Sequence, residues 1–185
     1  IETPPSGVGD VESQYSYWLE RAHPEWRILN RGVNGERSDQ IGDRFGRDVV
    51  SAHPSVVVVI AGVNDIYQGS PAEDVTRQLQ AMYEAAHDAG IVVVAGTIVP
   101  FNTATADQNA RMHEVNDWIR RYTAAHAEVI FCDTRASVTA PDQPDRLVSS
   151  PDDLHPSPDG YRLMALALEP AIRRALTSGS PRVSR

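Results

Sequence analysis

One cysteine, Cys132, is the whole thiol content of this 185-residue chain, which excludes an internal disulfide and leaves the compartment open. It ends an apolar run, so a buried, inert thiol is expected rather than a reactive one. Long apolar runs are missing too. The best of them, "SVVVVIAG" (55–62), has the length of a strand and cannot span a bilayer. Positive charge is scarce: 17 Lys and Arg against 25 Asp and Glu give a net charge of −8, with no basic cluster. Nucleic acid and anionic membrane are therefore not expected as partners, because both select a basic surface. No signal-peptide pattern is visible, but the chain starts at Ile1 rather than Met, which points to sequence removed from its front.

The signatures of metal and cofactor chemistry are also absent. "GVNGERS" (32–38) has no Lys-Ser/Thr after its glycines and is not a P-loop. "HEVND" (113–117) lacks the second histidine of a zinc helix, and neither a Cys/His cluster nor a dinucleotide fingerprint occurs. No cofactor or metal is expected.

What remains is the profile of one soluble globular domain, with 41% hydrophobic and 23% charged residues. It extends over 1–176, with no repeat or linker, and a frayed tail is expected at 177–185. Four segments read as buried parallel strands: "WRILN" (26–30), "SVVVVIA" (55–61), "IVVVAGTIV" (91–99) and "EVIFCD" (128–133). They are continuously apolar and β-branched, as strands covered on both faces are. Helices are expected between them, over 11–23 and 38–52. A third is opened by the capping box "SPAE" (70–73) and closed by Gly90, and a fourth is opened by "TADQ" (105–108). A last helix has Ser157 as its cap and Pro158 in its first turn. The alternation implies a three-layer α/β domain with a parallel sheet.

In such sheets ligands bind beyond the carboxyl ends of the strands, and the loops there hold a short list of useful groups. Gly35 lies where a loop enters a helix and offers a backbone N–H with no side chain in the way; taken alone, a tight turn needing positive φ is the plainer reading. Asn64 carries a neutral amide suited to a developing oxyanion, or makes a turn cap with Asp65. His155 follows Asp152 by three residues, a spacing at which the carboxylate orients one ring nitrogen and leaves the other as a base. A surface turn is the plainer alternative. Asp153 is the competing carboxylate and is expected to face away. His23, His53, His87, His113 and His126 read as structural or exposed.

Taken together, "NRGVNG" ending in Gly35, "GVND" holding Asn64, and "DDLHPSPDGY" holding Asp152 and His155 resemble three conserved blocks of the SGNH (GDSL-type) esterases. The blocks come in the family's order, and "GTIVP" (96–100) and "YRLMALAL" (161–168) are similar to it as well, so the likeness runs from about Gly7 to Ile172. The resemblance implies a flavodoxin-like sheet of order 2-1-3-4-5 that hydrolyses a small-molecule ester through a covalent acyl-enzyme. His155 is then the base and afterwards the acid, and Asp152 its orienter. The Gly35 N–H and the Asn64 side chain supply two donors of the oxyanion hole. The family's nucleophile is the serine of a Gly-Asp-Ser block, whose backbone N–H is the third donor.

That block is missing: no Gly-Asp-Ser occurs in the chain. A gap-free alignment puts Thr3 at the serine position and Ile1 and Glu2 before it. The favoured register instead places the serine just upstream of Ile1, since a β-branched Ile resists the tight turn that the block's glycine permits. The implied strand order gives a second argument. Its first strand is central, and without it the segments 26–30 and 55–61 stand about 9.6 Å apart, twice the ladder spacing. Each buried unpaired backbone group there costs about 1–3 kcal/mol. An N-terminal strand preceding Ile1 is therefore expected. Ser6 and Ser38 are fallback nucleophiles only, Ser38 being better explained as a helix cap. The family accepts acetylated sugars, lysophospholipids, thioesters and aryl esters. The irregular stretch 134–150 is expected to wall the acyl pocket, and its shortage of large apolar residues favours a short acyl group such as acetyl. The competing reading is a non-catalytic module, with Thr3 in place of serine, that binds acylated or carbohydrate ligands. A flavodoxin-like binding domain is a third.

Overall fold

β-Branched runs make the centre of the molecule. In the computed structural model, which describes residues 11–178, Val56–Val59 (β1), Val92–Gly96 (β2) and Val129–Cys132 (β3) form a parallel sheet in the order β1-β2-β3. The register pairs Val56 with Val92 and Val93 with Val129. Alternate residues face opposite layers, as the pleat requires. Val93 and Ala95 join a core with Phe45, Leu79, Met82, Met112 and Ile119, whereas Val94 joins Leu19, Ile130, Cys132, Leu168 and Ile172. The first core is closed by helices α2 (Ser38–Asp48), α4 (Ala72–Asp88) and α5 (Ala106–Ala125). The second is closed by α1 (Tyr15–Ala22) and α7 (Pro158–Ser178). This is the expected three-layer α/β architecture, and its three strands occupy consecutive places in the sheet.

The expected strand at 26–30 is a correction: those residues carry no ladder. Trp26 and Ile28 nonetheless pack against the second core, as Val56 and Val58 of β1 do. A strand exists only through its partner. In the implied order that partner is the first strand, which is not among the described residues. β1 shows the same gap from its own side: Val56, Val57 and Val58 are only half-buried, while Val93 and Val94 of β2 are buried. The expectations for Ile1, Glu2, Thr3 and Ser6, and for 179–185, fall outside the described residues.

Three of the expected helix ends follow local chemistry. Thr105 and Gln108 form a reciprocal capping box, Gly90 adopts φ +73° and donates its N–H to His87 O, and Ser157 Oγ accepts the Gly160 N–H at 3.3 Å. Ser70, by contrast, does not cap α4. Its N–H closes the preceding turn on Asp65 O at 2.9 Å, and Pro71 takes the cap position with no side-chain bond. The stretch 134–150 is not irregular either. It holds α6 (Thr134–Val138) and a small antiparallel pair, β4 (Thr139–Ala140) with β5 (Gln143–Leu147). Its organiser is the buried Arg135, which donates to Pro144 O at 3.1 Å and to Asp145 at 2.7 Å. Among the described residues no helix is long and apolar enough to cross a membrane.

Candidate active site

Beyond β1 the chain turns at Gly62, whose φ of +119° and close approach to Val75 and Ile98 admit no side chain. The short helix α3 (Val63–Tyr67) starts there. Its second residue, Asn64, donates from Nδ2 to Glu36 O at 2.8 Å, which ties it to the loop containing Gly35. One amide hydrogen is thereby used and the other is left for a ligand. Gly35 itself has φ +80°, and no atom lies within 4 Å of where a Cβ would stand. Its glycine thus meets the turn requirement, with open space where a side chain would stand.

Asp65 makes the joint rigid. Buried at 4% exposure, it accepts the Ser38 N–H at 2.8 Å and the Ser38 hydroxyl at 2.6 Å, pinning the first turn of α2 to α3. Ser38 is therefore not the cap of α2, a place taken by Arg37. Its hydroxyl is fully buried and committed to Asp65, so it offers no oxygen to a substrate.

The second half of the site is the loop before α7. His155 Nδ1 lies 2.7 Å from Asp152 Oδ2. The other carboxylate oxygen accepts the backbone N–H groups of His155 at 2.8 Å and Leu154 at 3.0 Å. The hydrogen bond from the His155 ring, reinforced by these two N–H groups, holds the Asp152 carboxyl well below the usual carboxylate range. An ionised Asp152 at Nδ1 fixes the proton there and leaves Nε2 as the basic nitrogen. The ring is 66% exposed and so open to a substrate. Ser150 steadies the turn by donating its hydroxyl to His155 O at 2.7 Å.

Asp153 points elsewhere. In the left-handed region at φ +60°, it accepts from Asn102 twice, the backbone N–H on its carbonyl at 2.7 Å and Nδ2 on its carboxylate at 3.0 Å. Asn102 in turn accepts the Leu147 N–H at 2.8 Å. The His155 loop is thus clamped to the loop after β2. Phe101 in that loop meets the ring of Tyr67 at 5.5 Å, which closes the circuit to α3. Gly35, Asn64, Asp152 and His155 accordingly occupy loops linked to one another at the carboxyl end of the sheet. Asp65 lies within "GVND" but reads from the sequence only as a turn-cap partner of Asn64, and Asn102 has no motif that marks it. The only signal of their linking role is position, each following a buried strand. Cys132 is buried and free, and burial pushes its thiol up to about 11, where it stays protonated and inert.

A model of the GDSL-like lipase/acylhydrolase family matches residues 4–163. No curated protein matches the chain in sequence. Among solved structures, a member of the lipolytic protein G-D-S-L family from Veillonella parvula superposes with TM-score 0.79 at 21% identity, over 92% of each chain. A GDSL-like lipase from Bacteroides thetaiotaomicron gives 0.74 at 24%, covering 88% of this chain and 85% of its own. An acetyl xylan esterase gives 0.74 at 21%, covering 87% of this chain and 91% of its own. At such identities the superpositions speak for the fold. The sequence match over residues 4–163, on the sheet and loops just described, goes further: the chain belongs to the GDSL-like lipase/acylhydrolase family.

Proposed function

We propose that the protein is a serine esterase that cleaves a short-acyl ester through an acyl-enzyme, with its nucleophile in a serine just upstream of Ile1. The observation that carries this reading is the Asp152–His155 pair. A carboxylate held ionised by three donors, 2.7 Å from an exposed imidazole, is an arrangement for which proton transfer at Nε2 is the natural use. The serine hydroxyl attacks the ester carbonyl carbon and passes its proton to His155 Nε2. The oxyanion then accepts from the Gly35 N–H, the free Asn64 amide hydrogen and the serine N–H. Collapse breaks the bond to the alcohol oxygen, which leaves with the proton from His155. Water repeats the sequence on the acyl-enzyme and frees the acid. Loss of one oxyanion donor in sites of this kind costs about 10²–10³ in turnover.

Two further observations support the upstream serine. Among the described residues, neither 26–30 nor the outer edge of β1 has a ladder partner, which is the place for the strand that leads into such a serine. Ser38, the one described fallback, is occupied by Asp65. The acetyl xylan esterase among the structural relatives is in keeping with a short acyl group. The chain's lack of Gly-Asp-Ser favours a second reading, a binding module with Thr3 at the nucleophile position.

Denatured intact mass before and after a fluorophosphonate probe separates the two. An excess over the mass of residues 1–185, matching a segment with Gly-Asp-Ser and gaining one probe, supports the esterase. A mass equal to residues 1–185 with no labelling rejects it. In the enzyme without the probe, His155→Ala abolishes hydrolysis of p-nitrophenyl acetate; unchanged turnover sinks the mechanism.

A further inference from the structure

The amino end of the sheet, opposite His155, holds a cavity of about 230 Å³. It is walled by the end of α4, the end of α5 and the start of β3. One wall contains an unanswered polar atom. Tyr83 is 1% exposed and its ring belongs to the first core, yet its hydroxyl has no hydrogen-bond partner among the described residues. Buried hydroxyls are nearly always paired, so this one marks a place where a partner belongs. Burial, and after it the neighbouring Tyr122 phenol, raise the Tyr83 hydroxyl and keep it protonated. The Tyr122 phenol is raised by burial and then by Glu84 and Glu128. The two phenols and these two carboxylates therefore lie within electrostatic reach of one another, on the side of Tyr83 that lines the cavity.

The rest of the wall favours positive charge. Glu84, Asp88 and Glu128 line it, no arginine does, and none of the three carboxylates is in an ion pair among the described residues. Glu84 accepts from the neutral Gln80 amide at 2.8 Å. Helices α4 and α5 both end here, and the carboxyl end of a helix carries partial negative charge. Of the two histidines, His126 is held by its Nδ1 on Tyr122 O at 2.9 Å, and His87 is exposed in the last turn of α4. Two imidazoles, even when protonated, do not cancel three carboxylates and two helix ends. A metal ion does not fit, because no three His, Cys, Asp or Glu among the described residues converge to hold one. The aromatic rings are spent on one another: Tyr122 packs on His126 at 3.9 Å and on Trp118 at 4.8 Å, and Tyr83 stacks on Trp118 at 6.2 Å. The cation that suits this wall therefore brings N–H donors to oxygen atoms and slim apolar carbon between them. The volume agrees, being below the roughly 300–1,000 Å³ of pockets for drug-sized ligands.

We propose that this cavity binds a small aliphatic polyamine, one ammonium group donating to the Tyr83 hydroxyl oxygen and the others facing Glu84, Asp88 and Glu128. The site is remote from His155 and independent of the esterase reading. Spermidine is titrated calorimetrically into the protein at about 0.15 M salt, which screens loose counterion binding by a chain of net charge −8. One saturable site is expected. Tyr83→Phe removes only the oxygen and should weaken binding about tenfold, the loss expected for a hydrogen bond to a charged group. Without spermidine its Tm should equal or exceed that of the wild type; a lower Tm means that the hydroxyl is already paired and overturns the proposal. Glu84→Gln with Glu128→Gln should also weaken binding about tenfold, whereas Glu20→Gln with Glu73→Gln, the same charge change on α1 and at the far end of α4, should stay within about twofold. Absence of a saturable site, equal binding by Tyr83→Phe, or equal weakening by the two charge pairs overturns it. So does saturable binding of Nα-acetyl-lysine methylamide without binding of spermidine, which gives the cavity to a lysine side chain of a protein partner.

Discussion

Removing the Asp65 carboxylate tests how the site is held together. In the native protein two buried donors converge on it, the Ser38 N–H at 2.8 Å and the Ser38 hydroxyl at 2.6 Å. Ser38 has no exposed surface, so water cannot replace the lost acceptor without reorganisation. Asp65→Ala orphans both donors. A buried group left unpaired costs about 1–3 kcal/mol, and the hydroxyl recovers part of its share by rotating toward another acceptor. The carboxylate also sits at the N-terminus of α2, where a negative charge contributes about 0.3–1 kcal/mol. A net loss of about 3 kcal/mol follows, and at about 2–4 °C per kcal/mol for a domain of this size Tm should fall by roughly 6–12 °C.

Asp65→Asn separates hydrogen bonding from charge. Its carbonyl oxygen accepts the Ser38 N–H while its amide donates to the Ser38 hydroxyl, which turns to accept. Only the charge and some geometry are lost, about 1 kcal/mol. Thermal unfolding followed by far-UV circular dichroism should therefore rank wild type above Asn above Ala. If Asp65→Ala moves Tm by less than about 2 °C, Ser38 is not held in the way described. If Asn is as damaging as Ala, charge and not hydrogen bonding is the operative term.

Three other outcomes are expected. Gly62→Ala should cost more than Gly35→Ala in thermal unfolding. Both have positive φ, at about 1–2 kcal/mol for a residue with a Cβ, but only at Gly62 does the Cβ fall 2.5 Å from Val75 Cγ1 and 2.8 Å from Ile98 Cδ1, adding about 1–3 kcal/mol of overpacking. Because Asp152 is held below its ordinary range, its contribution to stability is present above the unfolded carboxyl pKa, about 3.9, and is lost as the pH falls through the folded value. The Tm gap between wild type and Asp152→Asn should accordingly be widest near neutrality and close on acidification; a gap that ignores pH contradicts the assignment. Finally, an aromatic disulfide reagent at neutral pH should find Cys132 only after unfolding, and brisk labelling of the native protein would mean that the thiol is not buried as observed.

The sequence was most legible where function depends on local chemistry. Asp152 and His155 are three residues apart, and a turn that brings backbone N–H groups onto the aspartate also delivers its second oxygen to the imidazole. Thr105 with Gln108, and Ser157 ahead of Pro158, are legible for the same reason: each is complete within four residues. The three sheet strands announce themselves because burial on both faces forces continuous β-branched runs. The segment 26–30, with Ile28 as its one β-branched residue and Arg27 and Asn30 within it, has no partner among the described residues, and a few apolar side chains do not make a ladder. In 134–150 the opposite happened. One arginine with partners at Pro144, Asp145 and Ile98 folds a stretch that has no periodicity to read.

The residues that could not be read act at a distance along the chain. Asp65 reaches 27 positions back to Ser38, Asn102 reaches 51 forward to Asp153, and Asn116 brackets Ile98 by accepting its N–H and donating to its carbonyl from 18 positions away. Each is a polar side chain that satisfies backbone or side-chain groups of another element, and buried polar groups need such partners wherever they occur. Their consequence for the site is direct. The groups proposed to react arise from three separate loops, and the geometry needed for proton transfer and oxyanion stabilisation tolerates little displacement. The backbone after each strand is set by the sheet, but the spacing between loops is set by Asp65 and Asn102. Substitution of either should therefore alter the site while leaving Asp152 and His155 bonded to each other, and that separates positioning from chemistry.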